Sequence, residues 1–350
     1  MPHCCVGSSR RGSVSRGADA LHRLQRHHAQ MSLTSLLRAG RGPVWDWFET
    51  TLPETQRLCT SANRELRGGG TKEPCAVPPV PGTDHGLVGT AVGYLLSAHL
   101  RPDALDHTVA TEGARRLDRP LRRVSVMPSV IERAVVTRVA ELTPWQGSLG
   151  LREWTELCGL VGVLASFEQY YRAGPRVVLQ IGGPVRDHGS DLRELARAVV
   201  SEPTMQDLGI LGRVTVEDHL NIREANELYI GPGFAQSLPL GGADADLIYD
   251  GTLVDLKSTS QARVIGRDEV WQLIGYLLAD TDGAYSIARV GFAALRRRRA
   301  IFWLAEDLVR ELAGDHTRSV EQLREEFAAL LAPLVRQHSL MRRESLQPKI

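Results

Sequence analysis

An aspartate and an Asp-x-Lys triplet stand close together in residues 241–260, GGADADLIYDGTLVDLKSTS. Two apolar-rich runs flank the pair Asp250-Gly251, and an Asp-Gly pair between such runs is typical of the two-residue turn of a β-hairpin. If this pair forms the turn, Asp246 stands opposite Asp255 on the neighbouring strand. The sequence therefore predicts a hairpin that brings acidic side chains together.

The predicted pairing also decides which side chains share a face of the hairpin. Directly opposed residues, and residues two apart on one strand, lie on the same face, so Asp246, Asp255 and Lys257 project from one side. Asp244, opposite Lys257, adds a third carboxylate there. Like charges opposite one another destabilise a sheet, and a cation that prefers carboxylate oxygens, such as Mg²⁺, would offset this repulsion. The other face, which we expect to lie against the core, carries Ala245, Leu247, Tyr249, Thr252, Val254 and Leu256.

Lysine is rare in this chain, which makes Lys257 informative. Of 42 Lys and Arg residues only three are lysines, Lys72, Lys257 and Lys349, and the other 39 are arginines. A compact ammonium group can orient water or stabilise charge in ways that a guanidinium cannot. We therefore expect Lys257 to take part in the chemistry. The alternative is that one of three lysines lies in the hairpin by chance.

The aspartate, the tight turn and the Asp-x-Lys triplet resemble the active-site hairpin of the PD-(D/E)XK nuclease superfamily. A second motif follows, Gln272-Leu-Ile-Gly-Tyr276, which is similar to the QxxxY motif of the RecB-like branch. Side chains four residues apart share a face of a helix, so both are expected to face the hairpin. The plain alternative is that Tyr276 packs with the apolar residues around it. The resemblance covers residues 86–98 and 241–305, under a third of the chain.

The resemblance implies an α/β fold, a restriction-endonuclease-like mixed β-sheet core flanked by helices, with a helical insertion. It also implies metal-dependent hydrolysis of DNA phosphodiester bonds, with Mg²⁺ or Mn²⁺ held by Asp246, Asp255 and the carbonyl of Leu256. In this family the lysine orients the attacking water and the Gln and Tyr of the helix position the site. The catalytic residues that the resemblance implies are Asp246, Asp255, Lys257, Gln272 and Tyr276.

One family position departs from the pattern. Residues 89–96, GTAVGYLL, resemble the branch's first helix, G-T-x-x-H-x-x-L, but Gly93 stands where the family has a histidine ligand. The number of bound metal ions is therefore left open between one and two. An upstream acid often completes the metal shell in this superfamily, and the candidates are Glu224, Glu227 and Asp244. Ordinary surface positions are an equal alternative for the two glutamates.

Two dense groups of arginines could contact nucleic-acid phosphates, which attract clustered cations. For the first group we favour a solvated face paired with Glu112 and Asp118, and for the second, which follows the QxxxY helix, we favour DNA contact. The first group is Arg115, Arg116, Arg119, Arg122 and Arg123, and the second is the run Arg296, Arg297, Arg298 and Arg299.

Composition excludes several other classes of protein. With 350 residues and 43% hydrophobic content, the chain is long enough for one large or two medium soluble domains, and it has no apolar run of about 18 residues for a membrane span. A net charge of +1 means that any nucleic-acid contact must come from local patches. No disulfide framework, zinc motif or iron–sulfur set is formed by Cys4, Cys5, Cys59, Cys75 and Cys158, and reduced thiols are typical of the cytoplasm.

Apolar periodicity and turn residues predict helices at 86–100, 130–142, 151–173, 191–201 and 267–280, then one or two strands in 285–304 and a final helix in 319–337. Ser129 is the expected N-cap of the second helix, and Pro333 is expected to interrupt the last one. The expected divisions are a disordered extension at 1–30, an N-terminal helix and linker at 31–85, a helical region at 86–225, a nuclease core at 226–310, and a C-terminal helix and tail at 311–350. Met31 is a candidate start.

We therefore expect a cytoplasmic, Mg²⁺-dependent deoxyribonuclease with DNA as its partner. The alternative is a catalytically degenerate nuclease fold that binds DNA or acts as a scaffold in a defence or repair complex. The phosphate-loop pattern GxxxxGK[ST] is absent, so any ATP-driven step would come from a helicase or ATPase partner. A third possibility is a helical interaction protein in which the hairpin is accidental.

Overall fold

A computed structural model describes residues 32–69, 75–105, 108–143, 149–173, 178–234 and 245–346. It shows a mixed α/β molecule in which helices cover both faces of a five-stranded sheet. The described part contains no helix that is both long and apolar enough to cross a membrane.

In the described part of the chain, ten α-helices precede the first strand. They are α1 (Leu33–Arg38), α2 (Pro43–Thr51), α3 (Thr55–Leu66), α4 (His85–Leu100), α5 (Val109–Asp118), α6 (Pro128–Leu142), α7 (Leu151–Ala173), α8 (Val178–His188), α9 (Leu192–Val199) and α10 (Glu202–His219). The later helices are α11 (Arg267–Ala279), α12 (Ala305–Ala313) and α13 (Val320–Leu346). The predicted helices at 86–100 and 267–280 are thus confirmed to within a residue.

The sheet has the strand order β1-β2-β3-β4-β5, which is also the order of the strands in the sequence. Only β3 and β4 run parallel, and α11 provides the crossover that a parallel pair requires. The other neighbouring strands are antiparallel. The strands are β1 (Leu228–Ile230), β2 (Leu247–Tyr249), β3 (Thr252–Lys257), β4 (Arg289–Ala294) and β5 (Arg299–Leu304).

The predicted hairpin is confirmed in its turn and register. Asp250 and Gly251 have φ angles of 42° and 68°, the pair of positive values that a type I′ turn requires. A β-carbon on Gly251 would also lie 2.7 Å from the Ser286 carbonyl oxygen, so glycine is needed there on two counts. Tyr249 pairs with Thr252, as expected.

Both faces of the hairpin are buried, whereas the sequence predicted a core on one face only. Leu247 and Val254 pack into a core formed with α4 to α10. Ile248 and Leu253, on the face of the predicted site residues, pack into a second core with α1 to α3 and α11 to α13. The sheet is therefore the middle layer of three.

Several element boundaries differ from the predictions. Helix α6 begins at Pro128 with Met127 as its N-cap, so Ser129 lies inside the helix. Pro333 lies within α13 and does not interrupt it. The helical region extends to His219 at the end of α10. The short strand β1 and helix α12 had no counterpart among the predictions.

Candidate active site

Asp246, Asp255 and Lys257 lie together at the end of β2 and β3 that is remote from the turn. The strand ladder stops at the pair Leu247 and Val254, so Asp246 is joined to β3 by its side chain instead of by strand pairing. Its Oδ2 accepts a hydrogen bond from the Leu256 amide at 2.6 Å. Lys257 Nζ lies 2.7 Å from Asp255 Oδ2. The hairpin thus brings two carboxylates and one ammonium group to one spot.

The surroundings make these carboxylates hard to ionise. The Asp255 side chain is only 7% exposed, and Asp246, although exposed to solvent, lies beside it at the end of the hairpin. Desolvation, followed by the charge of Asp255, raises the pKa of Asp246 to about 7. Desolvation also raises the pKa of Asp255, although the charge of Lys257 opposes it. One ammonium group does not balance the two carboxylates.

Lys257 is held in its protonated form. Burial alone would lower its pKa, but the charges of Asp255 and Asp246 outweigh that effect and the net pKa is raised. A protonated lysine cannot accept a proton from water. It can donate hydrogen bonds and stabilise negative charge, so its chemical role here is electrostatic.

The QxxxY pair lies beside this site on α11. Gln272 Nε2 donates to the Tyr276 hydroxyl and to Thr34 Oγ1 of α1, each at 2.7 Å. Burial first, and then the charges of Asp255 and Asp246, raise the pKa of Tyr276, so its hydroxyl stays protonated near the carboxylates. The predicted pair therefore does meet, and it links the site to the N-terminal helix.

The structure adds a neighbour to the site that the sequence did not indicate. Glu168, on α7, is near enough for its charge to raise the pKa of Asp246 further. Its carboxylate accepts hydrogen bonds from Tyr94 Oη at 2.6 Å and from Arg172 Nε at 2.7 Å. No spacing in the sequence links Glu168 to the hairpin, because the contact depends on how α7 packs against α4.

Helix α4, predicted from its resemblance to the first family helix, does lie against the site. A β-carbon on Gly89 would be 3.0 Å from the hydroxyl of Ser258, the residue after Lys257. Gly93, at the family's histidine position, has open space around the place of a β-carbon. The missing histidine therefore leaves room that no other side chain of the described residues fills.

Of the two glutamates predicted as possible ligands, Glu227 lies far from Asp255. Strand β1 is antiparallel to β2, so Glu227, just before β1, lies at the turn, where its amide donates a hydrogen bond to Asp250 Oδ1 at 3.0 Å. The distance from the turn to Asp255 is about 13–17 Å at strand geometry. Glu224 precedes Glu227 and is exposed. Asp244 lies outside the described residues.

The ligand set in the described part of the chain is small. No group of three or more His, Cys, Asp or Glu side chains suited to a metal ion occurs there. The donors present are the carboxylates of Asp246 and Asp255, with the Leu256 carbonyl as the predicted third. Such a set matches Mg²⁺ in that this ion binds through one or two carboxylates and completes its shell with water and phosphate oxygens.

The run of four arginines after β4, which the sequence suggested as a DNA contact, is divided between buried and exposed side chains. Arg296 is 1% exposed and forms a two-point ion pair with the fully buried Asp207, at 2.5 Å and 3.1 Å. Arg297 is also buried, and Arg298 pairs with Asp218. The first two arginines therefore stabilise the fold from inside, whereas the other two are exposed, and DNA contact by this group stays a prediction.

Comparisons with protein-family models, with curated proteins and with solved structures give no match. The functional argument therefore depends on the geometry of the hairpin and of the helices that surround it.

Proposed function

We propose that this protein is a metal-dependent nuclease of restriction-endonuclease-like fold that hydrolyses DNA phosphodiester bonds. The observation that carries the proposal is the meeting of Asp246, Asp255 and Lys257 at one end of the hairpin, with Lys257 Nζ 2.7 Å from Asp255. A site for Mg²⁺ or Mn²⁺ would be formed by the two carboxylates and the Leu256 carbonyl.

The electrostatics of the site support a bound cation. Two carboxylates with raised pKa values face one ammonium group, and Glu168 adds a further negative charge nearby. This arrangement costs free energy when the carboxylates are ionised, and a divalent cation would offset that cost. When bound, such an ion polarises the phosphate and lowers the pKa of a coordinated water.

The residues of the chain itself have distinct tasks in this proposal. Lys257, protonated and 20% exposed, orients the attacking water and stabilises charge that develops on the phosphate. The Leu256 amide fixes the carboxylate of Asp246, so that one oxygen stays directed toward the site. The hydrogen-bonded pair Gln272 and Tyr276 lies beside the carboxylates, and the bond from Gln272 to Thr34 anchors this part of α11 to α1.

Metal binding tests this proposal without requiring the correct substrate. An ion that binds only the folded protein stabilises it and so raises its melting temperature. At an ion concentration of a hundred times Kd, the added stability is about 2.7 kcal/mol. We expect Mg²⁺ and Mn²⁺ to raise the melting temperature of the wild-type protein. The double variant Asp246→Asn, Asp255→Asn should lose this shift. A shift of equal size in both proteins would refute the assignment of the ligands.

A second candidate is a DNA-binding or scaffolding module that keeps the fold without catalysis. The open space at Gly93, where the family helix carries a ligand, is the observation that favours it. Such a protein would bind DNA and show no cleavage with either metal, and the Lys257→Ala variant would then bind and behave like the wild-type protein.

A further inference from the structure

Four arginines at the end of α5 and in the connection to α6 form an exposed cluster, which we call the arginine patch. All four side chains are exposed, and in the described part of the chain none of them forms an ion pair. The patch consists of Arg115, Arg119, Arg122 and Arg123. The sequence favoured a solvated face paired with nearby acids for a group that also includes Arg116. Arg116 does pair with Glu112, whereas the four arginines of the patch are exposed without such a pair in the described part of the chain.

The acids expected to neutralise the patch are occupied by other partners. Glu112 Oε1 pairs with Arg116 Nε at 3.0 Å. Asp118 Oδ1 accepts the amide hydrogen of Ser129 at 3.0 Å and so fixes the start of α6. Residues 111–123 contain five arginines against two acids, a net charge of +3 over 13 residues. The helix dipole explains cations in the last turn of α5 but not those beyond its end.

Contacts between α5 and α7 bring the helix that carries part of the patch close to the helix that carries Glu168. Helices α5 and α7 touch closely, since a β-carbon on Gly113 would overlap the Phe167 carbonyl oxygen. At the same end, the Arg116 guanidinium lies 4.3 Å from the centre of the Tyr171 ring. The adjacent Arg172 bonds Glu168, whose charge reaches Asp246. The patch and the site therefore lie at the same end of the α4, α5 and α7 layer.

One face of α4 near the candidate site carries glycines in place of side chains. Gly86 and Gly89 are exposed, and Gly93 has open space beside it. A β-carbon on Gly89 would be within 3.0 Å of Ser258, which follows Lys257. A polymer that crosses this face can thus approach the end of β3 without meeting a side chain from α4.

We propose that the arginine patch binds the phosphate backbone of the DNA substrate and directs it across the glycine face of α4 to Asp246 and Lys257. This inference rests on the proposed function, because it assigns the substrate path of the same site. Arginines without carboxylate partners pair readily with phosphates, which they can hold by two parallel hydrogen bonds. Such contacts are independent of base sequence and depend strongly on salt.

The test measures binding of fluorescent duplex and single-stranded DNA by the full chain at several salt concentrations, without divalent metal. Each neutralised duplex phosphate contributes about 0.9 to the slope of log K against log salt. The double variant Arg122→Gln, Arg123→Gln should lower the duplex slope by about 1.8 and weaken binding near 0.1 M salt about 60-fold. Its melting temperature should stay unchanged because both side chains are exposed.

Arg152→Gln is the matched control for charge removal. Arg152 is also exposed, but it stands at the start of α7, 20 residues and therefore about 30 Å along the helix from Arg172. This variant should keep the wild-type slope and affinity.

The outcomes separate this inference from the proposed function. The Arg122→Gln, Arg123→Gln variant could keep the wild-type salt slope and DNA affinity while the protein still cleaves DNA with metal. That result would overturn the role of the arginine patch and leave the proposed function standing. Failure of the wild-type protein to bind either form of DNA would overturn both proposals. A reduced slope in the double variant supports the patch even if the protein cleaves no DNA.

Discussion

The buried ion pair between Asp207 and Arg296 connects the helical layer to the end of the sheet that carries the candidate site. Asp207, on α10, is 0% exposed and Arg296, between β4 and β5, is 1% exposed. The Arg296 Nε also donates to the carbonyl of Ser258 at 2.6 Å, one residue beyond Lys257. The Val80 amide donates to Asp207 Oδ1 at 3.1 Å. Loss of the pair should therefore affect both stability and the site.

We expect Asp207→Ala to destabilise the protein by about 4–6 kcal/mol. Removal of one partner from a buried pair costs about 3–5 kcal/mol, because the remaining charge is left uncompensated in the interior. Loss of the bond to the Val80 amide adds about 1 kcal/mol. At about 2 °C for each kcal/mol in a chain of this size, the melting temperature should fall by roughly 8–12 °C.

The test compares the free energy of unfolding of four proteins by chemical denaturation. They are the wild type, Asp207→Ala, Arg296→Met and the double variant Asp207→Leu, Arg296→Met. An apolar pair of similar volume often replaces a buried ion pair with little loss, so the double variant should recover part of the lost stability. A loss of less than about 1 kcal/mol in the free energy of unfolding of Asp207→Ala would refute the view that this buried ion pair holds the helical layer to the sheet.

Three further outcomes are expected. Gly93→Ala should stabilise the protein by about 0.5–1 kcal/mol through helix propensity, because the new β-carbon meets open space. Gly89→Ala should stabilise it less, or destabilise it, because the new β-carbon meets Ser258. Denaturant titration compares the two variants, and equal gains in stability would contradict the packing of α4 on β3. The pKa of Asp246 is raised from 3.8 to about 7 in the folded protein, so the folded state binds this proton more tightly than the unfolded state does. The stability of the metal-free protein should therefore fall as the pH rises from about 4 to 7. Thermal unfolding across pH should show this fall in the wild-type protein and a smaller fall in the Asp246→Asn variant. An identical pH profile in that variant would show that the raised pKa does not belong to Asp246. Glu227→Ala should leave the Mg²⁺-induced rise in melting temperature unchanged, and loss of that rise would place a ligand at the turn after all.

Local sequence patterns predicted the centre of the site. The Asp250-Gly251 pair set the turn, and alternation along two short runs then set the register that the structure shows. The i and i+4 spacing of Gln272 and Tyr276 likewise predicted that the pair would share a helix face, and the two side chains are hydrogen-bonded to each other. Turn chemistry and periodicity suffice for such features because they depend on neighbours in the chain.

Features that depend on distant partners escaped prediction. The arginine run looked like a surface cluster because Asp207, the partner of Arg296, lies 89 residues earlier. Glu227 seemed near the metal ligands because the three-residue strand β1, which carries it to the turn, is too short to recognise. Glu168 approaches Asp246 only through the packing of α7 on α4, which no pattern in the sequence specifies.

The central claim is tested most directly by a cleavage assay on purified protein with Mg²⁺ or Mn²⁺, on linear, circular and single-stranded DNA, beside the Lys257→Ala variant. We expect metal-dependent cleavage by the wild-type protein and a loss of at least about 10²–10³-fold in the variant, because Lys257 supplies the protein's own positive charge beside Asp255. The variant should keep its fold and much of its DNA binding. Undiminished cleavage by Lys257→Ala, or no cleavage of any of these substrates by the wild-type protein, would contradict the account.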